Sequence, residues 1–94
     1  MRSFDSPYGK ITLTNERKKH ILTFHPDVAG CIRYFSQALS APEHVVQSVH
    51  DSTVVLCYRF LPTRKKHLAI VVKTGDRPFI VTAYLAKKVK RGIL

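Results

Sequence analysis

The first 42 residues carry apolar side chains at a helical period. Four of them recur at spacings of four, three and four: Val28, Ile32, Phe35 and Leu39. This spacing places them on one stripe of a helix between Asp27 and Pro42. Upstream, Thr14 is a favourable N-cap, and Pro26 ends that earlier helix near His25 because the residue before a proline avoids the helical conformation. The pattern therefore predicts two N-terminal helices.

From residue 44 onward the pattern changes to the alternation and β-branched composition of strands. Four strands fit it, near residues 44–50, 54–61, 67–73 and 78–85, and a further short strand fits residues 11–13. The short connections predict an antiparallel meander. We therefore predict an α+β fold with two N-terminal helices packed on a four-stranded antiparallel β-meander. The chain reads as a single domain over residues 1–94, with a core from about 11 to 85 and a basic tail from 86 to 94.

Alternation within the strands predicts which side chains share a face. We expect the helices to cover the face that carries Leu56, Ile70 and Val81. The opposite face then carries hydrogen-bonding side chains on three neighbouring strands: Arg59, His67, Lys73, Thr82 and Tyr84. Such a set is suited to closing around a phosphate. The alternative is a half-solvated face without a site.

The balance of charges narrows the choice of partner. The chain has 16 Lys and Arg against 6 Asp and Glu, a formal net charge of +10 and a pI near 10.1. A basic domain of this size most often binds nucleic acid, and less often an anionic membrane or an acidic protein. The residues that we expect to bind RNA are Arg17, Lys18, Lys19, Arg64, Lys65, Lys66, His67 and Lys73.

Several protein classes are excluded by what the sequence lacks. Its apolar runs are far shorter than the roughly 18 residues of a membrane span, and no secretory apolar segment stands near its start. Cys31 and Cys57 lie in apolar patterns without metal-ligand spacing. The six acidic residues are scattered, so we expect no metal site and no cofactor. A cytoplasmic protein without a membrane partner is the expectation.

His20 and His25 are the candidate proton-transfer residues. They are five residues apart, which corresponds to about 140° around a helix, and they flank Ile21. Imidazole titrates near neutral pH, which suits it to take the 2′-hydroxyl proton or to protonate the leaving 5′-oxygen in RNA cleavage. The alternative for each is a histidine that packs at the margin of the core.

Four segments, taken in order, resemble a known nuclease superfold. They are LTNERKKHILTFHPDV at 13–28, CYRF at 57–60, LAIVVK at 68–73 and FIVTAYL at 79–85. The combination resembles the phage-type and toxin-associated nucleases of the barnase, EndoU, colicin and RelE-like superfold, over most of the chain. The resemblance implies metal-independent RNA cleavage on the sheet face beside the first helix. The catalytic residues that the resemblance implies are His20, His25, Arg59, Thr82 and Tyr84.

We therefore predict a small toxin-type ribonuclease that cleaves by 2′-hydroxyl attack and leaves a cyclic phosphate. Arg59 is the predicted stabiliser of transition-state charge, with Thr82 and Tyr84 orienting the phosphate. The expected partners are RNA and an acidic antitoxin or immunity-type protein, and the RNA substrate and oligomeric state stay open. The alternatives are a non-catalytic RNA-binding module on the same face and a basic interaction protein that docks an acidic partner.

Overall fold

The chain folds into one six-stranded sheet with three helical segments packed against it, in a computed structural model that describes residues 1–90. In chain order the elements are β1 (Arg2–Ser6), β2 (Gly9–Leu13), α1 (Asn15–Phe24), a 3₁₀ helix (Pro26–Tyr34), α2 (Phe35–Ser40), β3 (His44–Gln47), β4 (Val54–Leu61), β5 (Lys66–Lys73) and β6 (Phe79–Ala86). The strands lie in the order β1-β2-β6-β5-β4-β3. Neighbouring strands are antiparallel except β2 and β6, which pair in parallel.

The prediction of two helices on a four-stranded meander is wrong, because two further strands extend the sheet. β1 and β2 form a hairpin whose turn contains Gly9 at a φ of +95°, a conformation that favours glycine. The hairpin joins β6, where the Thr12 N–H donates to the Pro78 carbonyl at 3.1 Å. Only one side chain of β1, Phe4, is buried, so the alternation of this strand is too weak to predict it. Phe4 also extends the core beyond its predicted start.

The helical half differs from its prediction after α1. As predicted, α1 begins after Thr14, whose Oγ1 accepts a hydrogen bond from the Arg17 N–H at 3.1 Å. The second predicted helix is instead a 3₁₀ helix followed by the six-residue α2. A 3₁₀ helix has three residues per turn, which brings Val28 and Cys31 to the same side. Cys31 is therefore buried where the α-helical stripe predicts Ile32.

The core lies between the helical segments and one face of the sheet. This helix-covered face carries Cys57, Ile70 and Ala83, which pair directly across β4, β5 and β6 and are buried. The helical segments add six buried apolar side chains to the core: Ile21, Val28, Cys31, Phe35, Ala38 and Leu39. The opposite face carries Tyr58 and Tyr84, and we call it the tyrosine face.

The predicted assignment of faces is wrong for β4. Arg59 pairs with Leu68, which belongs to the core, whereas Leu56 pairs with Val71 on the tyrosine face. β4 has aliphatic residues on both faces, so its own alternation does not show which of them meets the helices. The pairing register with β5 decides this, and it places Arg59 on the helix-covered face.

A bulge also changes the predicted face of β6. Thr82 pairs with Val71, but Ile80 pairs with Val72, so Val81 has no partner in this ladder. An extra residue in one strand shifts the alternation of all residues before it. Ile80 therefore joins the core, while Val81 is only half-buried.

The C-terminal segment returns to the sheet. Ala86, predicted to begin the tail, is the last residue of β6. The Lys90 N–H donates to the Tyr58 hydroxyl at 3.3 Å, so the segment reaches the tyrosine face. Residues 91–94 of the predicted tail lie outside the described residues. No helix in the described part of the chain is long and apolar enough to cross a membrane.

Candidate active site

Two tyrosines meet at the centre of the tyrosine face. Tyr58, Ala69 and Tyr84 pair directly across β4, β5 and β6, and Ala69 leaves room between the two rings because its side chain ends at Cβ. Tyr58 is fully buried and lies opposite Tyr84 across Ala69. Burial, together with the neighbouring Tyr58 hydroxyl, raises the pKa of Tyr84 to about 12. Tyr84 is therefore a neutral hydrogen-bond donor at physiological pH rather than a base.

His25 is the histidine whose ring lies beside Tyr84. It is the C-cap of α1, with a φ of −133° and a ψ of 67°. Its backbone N–H donates to the Ile21 carbonyl at 2.7 Å, and its carbonyl accepts from the Val28 N–H at 3.0 Å. Its half-buried ring lies 6.0 Å from the Tyr84 ring, measured between centroids. The junction between α1 and the 3₁₀ helix therefore fixes His25 beside Tyr84.

His67 and Thr82 lie on the same face, as predicted for them. His67 pairs with Phe60 in β4, and the two ring centroids are 5.1 Å apart. The ring of Tyr58 stands nearly perpendicular to that of His67 at 6.4 Å. The Nδ1 atom of His67 is buried and has no hydrogen-bond partner among the described residues. Packing against aromatic rings therefore holds this imidazole in place.

Lys73 is on the tyrosine face, but its ammonium group is engaged at the end of the sheet. Its Nζ lies 2.9 Å from the Asp51 carboxylate and also donates to the Thr53 hydroxyl. Hydrogen bonds from Thr53 and Lys73 lower the pKa of Asp51 to about 2. These contacts tie the start of β4 to the end of β5. Lys73 therefore has a structural role, which the alternation of β5 does not predict.

The structure separates Arg59 and His20 from the other predicted catalytic residues. Arg59 Nη1 donates to the Ala41 carbonyl at 2.8 Å, on the helix-covered face, so it is remote from Thr82 across the sheet. His20 is exposed and packs against Phe24 on α1, with ring centroids 4.7 Å apart. The position of His20 beside Ile21 and Phe24 in the sequence predicts that it faces the sheet, and this prediction is wrong. The predicted set of five residues does not converge.

Six of the predicted RNA-binding cations form two basic clusters, residues 17–19 and residues 64–66, on largely exposed parts of the chain. On α1, Lys18 and Lys19 are exposed and Arg17 is half-buried. The second cluster forms the turn from β4 to β5, where Lys65 has a φ of 53° and Arg64 packs against Gly30 of the 3₁₀ helix. The clusters therefore present cationic groups on α1 and at the β4–β5 end of the sheet.

A small pocket adjoins Tyr84 and includes residues that the sequence does not single out. Its volume is about 80 Å³, and Leu56 and Tyr84 contribute to its walls. His50 and Lys90 add nitrogen groups to its lining. His50 lies in the turn before β4 and Lys90 lies in the C-terminal segment. No local sequence motif links these two segments. Only the basic run that begins at Lys87 hints at a role for this segment.

The geometry defines a class of protein: a basic, mixed α+β domain with two tyrosines on one face of a single sheet and a histidine ring beside one of them. Residues 1–90 bring together no group of three His, Cys, Asp or Glu side chains that could hold a metal ion. In comparisons with protein-family models, curated proteins and solved structures, nothing matches this chain.

Proposed function

We propose that this protein is a metal-independent ribonuclease whose reaction takes place on the tyrosine face. The observation that carries the proposal is the position of His25, a proton-transfer group, beside the Tyr58–Tyr84 pair. A net charge of +10 supports a polyanionic substrate. The resemblance of residues 13–85 to toxin-associated nucleases supports the same chemistry.

His25 is the base in this reaction. It takes the proton of the 2′-hydroxyl while the 2′-oxygen forms a bond to phosphorus and the bond to the 5′-oxygen breaks. The products are a cyclic phosphate and a free 5′-hydroxyl. Tyr84 and Thr82 donate hydrogen bonds to the non-bridging oxygens, on which charge accumulates. His67, whose ring lies on the same face against Tyr58, is the candidate acid for the leaving oxygen.

An RNA-binding module that does not cleave is the second candidate, and the position of Arg59 favours it. The guanidinium donates to the Ala41 carbonyl on the helix-covered face, so it stabilises no charge on the tyrosine face. Loss of one transition-state donor typically costs on the order of 10² to 10³ in kcat. The docking of an acidic antitoxin-type partner stays a prediction from the net charge.

The experiment incubates the purified protein with end-labelled RNA in EDTA, with and without ribosomes. We expect cleavage that EDTA does not slow, with products that mass spectrometry shows to end in a cyclic phosphate. A His25→Gln variant purified in parallel controls for contaminating ribonucleases. Intact RNA with a salt-sensitive mobility shift would support the binding module instead, and RNA that is neither cut nor bound would contradict both candidates.

A further inference from the structure

We propose that Phe24 and His20 form a stacking platform on α1 for a base of single-stranded RNA. Phe24 is 66% exposed, although it is one of the largest apolar side chains in the protein. His20 packs against it with ring centroids 4.7 Å apart and ring planes inclined at 47°. The inference rests on the proposed function only in taking RNA as the ligand.

The platform lies on one side of the helix. Arg17, His20 and Phe24 are separated by three and four residues, the spacing of neighbours along one stripe of an α-helix. Ile21 is the only buried residue of α1. The packing of this helix against the sheet therefore does not use Phe24, and the stripe presents a cation, an imidazole and an aromatic ring in succession.

The charge around the platform favours RNA over a second copy of the chain. The helix α1 contains one acidic residue, Glu16, and three cationic ones: Arg17, Lys18 and Lys19. A second copy would bring another net charge of +10 against this surface, and the two would repel each other. A single-stranded nucleic acid supplies both groups that the surface lacks, a phosphate for the cations and a flat base for the aromatic ring.

The position of the platform connects it with the candidate active site. Phe24 is the last residue of α1, and His25 follows it directly as the C-cap beside Tyr84. A base stacked on Phe24 therefore lies next to the residue proposed to move the proton. The platform would hold a nucleotide that flanks the reacting phosphate.

A tryptophan at position 24 gives a direct test, because the chain contains no tryptophan of its own. In Phe24→Trp, we expect indole fluorescence to be quenched to saturation by a 2′-O-methyl oligonucleotide, which lacks the nucleophile for cleavage. The control is Tyr8→Trp in the β1–β2 turn, at a residue that is also exposed, where we expect no saturable quenching. Unquenched fluorescence at position 24 while the oligonucleotide is bound would overturn the proposal.

A second pair of variants separates stacking from a general apolar contact. Phe24→Leu keeps the apolar side chain and removes the π-system, and we expect it to weaken oligonucleotide binding by roughly tenfold. The proposal would be overturned if Phe24→Leu bound the oligonucleotide with wild-type affinity. It would also be overturned if light scattering showed that the wild-type protein is a dimer and that Phe24→Leu is a monomer. Because the oligonucleotide cannot be cleaved, absent ribonuclease activity with saturable quenching would contradict only the proposed function. Cleavage at the wild-type rate with no quenching would contradict only the platform.

Discussion

Tyr84 and Cys57 show how packing sets the proton affinity of single side chains. Burial raises the pKa of Cys57 from 9.0 to about 11, and burial beside the Tyr58 hydroxyl raises the pKa of Tyr84 from 10.0 to about 12. In both cases the folded protein holds the proton more tightly than the unfolded chain does. Stability is therefore unaffected below the unfolded pKa and falls as the pH rises towards the folded pKa.

Alkaline unfolding tests this account of Tyr84. The unfolding free energy of the wild-type protein should fall between pH 9.0 and about 12, first through Cys57 and then through Tyr84. Tyr84→Phe has no phenol to titrate at this position, so its curve should lose the part of the fall that begins near pH 10.0. Urea denaturation followed by circular dichroism across this range measures the difference. Identical curves for the two proteins would show that Tyr84 titrates as it does in the unfolded chain.

At the scale of secondary-structure elements, a polar cluster fastens β4 to β5. Asp51 accepts hydrogen bonds from the Thr53 hydroxyl and from Lys73 Nζ, at 2.6 and 2.9 Å. The Thr74 hydroxyl donates to the Thr53 carbonyl at 2.7 Å. The cluster lies where β4 begins and β5 ends, so it limits fraying of these two paired strands.

We expect Lys73→Met to lower Tm by a few degrees. Lys10→Met is the matched control, because Lys10 pairs with Asp5 at 3.6 Å between two highly exposed side chains and such pairs contribute little. The effect should depend on pH, since the depressed pKa of Asp51 gives stability that is present above 3.8 and is lost as the pH falls through about 2. Thermal unfolding at neutral and acidic pH measures both. Equal Tm values for the two variants would contradict a fastening role.

The sequence predicts individual elements better than their relative placement. The start of α1 after Thr14 follows from local capping chemistry, and the bounds of β4 at Val54 and Leu61 follow from composition. The face on which Arg59 lies does not follow, because it depends on the register between β4 and β5. β1 cannot be predicted from the sequence for a different reason: only one of its side chains is buried, so the strand shows no alternation of apolar and polar residues.

In the candidate site, too, the sequence predicts features within one element but not contacts between elements. Alternation brings Thr82 and Tyr84 to one face because they are two residues apart in a single strand. The choice between His20 and His25 depends on where α1 ends, since only the non-helical backbone of His25 carries its ring to Tyr84. The contribution of Lys90 depends on a contact with Tyr58 across 32 residues, which no local pattern encodes.

At the scale of the whole molecule, positive charge is the dominant property. Residues 1–90 form two ion pairs, Lys10 with Asp5 and Lys73 with Asp51. The excess of basic over acidic groups in the chain, 16 against 6, means that most cations have no acidic side chain to pair with. Their mutual repulsion costs stability, and a polyanion relieves it.

RNA affinity should therefore depend steeply on salt. If the protein neutralises about five phosphates, its affinity should fall by roughly 10³ between about 50 and 200 mM salt. The reason is that binding releases counterions from the RNA, and this release is less favourable when the salt concentration is higher. Substitution of Lys18 and Lys19 by Ala should reduce the slope, whereas Lys10→Ala on the β1–β2 hairpin should leave it close to that of the wild type. Filter binding with an uncleavable oligonucleotide measures the slope. An affinity that does not change with salt would contradict a nucleic-acid partner.

The central claim is that RNA is cleaved on the tyrosine face with His25 as the base. The most direct measurement compares kcat for His25→Gln and His20→Gln over a range of pH, with folding of both checked by circular dichroism. We expect His25→Gln to lose roughly 10² to 10⁴ in kcat and the limb of the pH profile that reports the base. His20→Gln, whose side chain belongs to the proposed platform and not to the proton-transfer site, should raise KM and keep the kcat and the pH profile of the wild type. A folded His25→Gln protein with the wild-type kcat, or a loss of kcat confined to His20→Gln, would contradict the account.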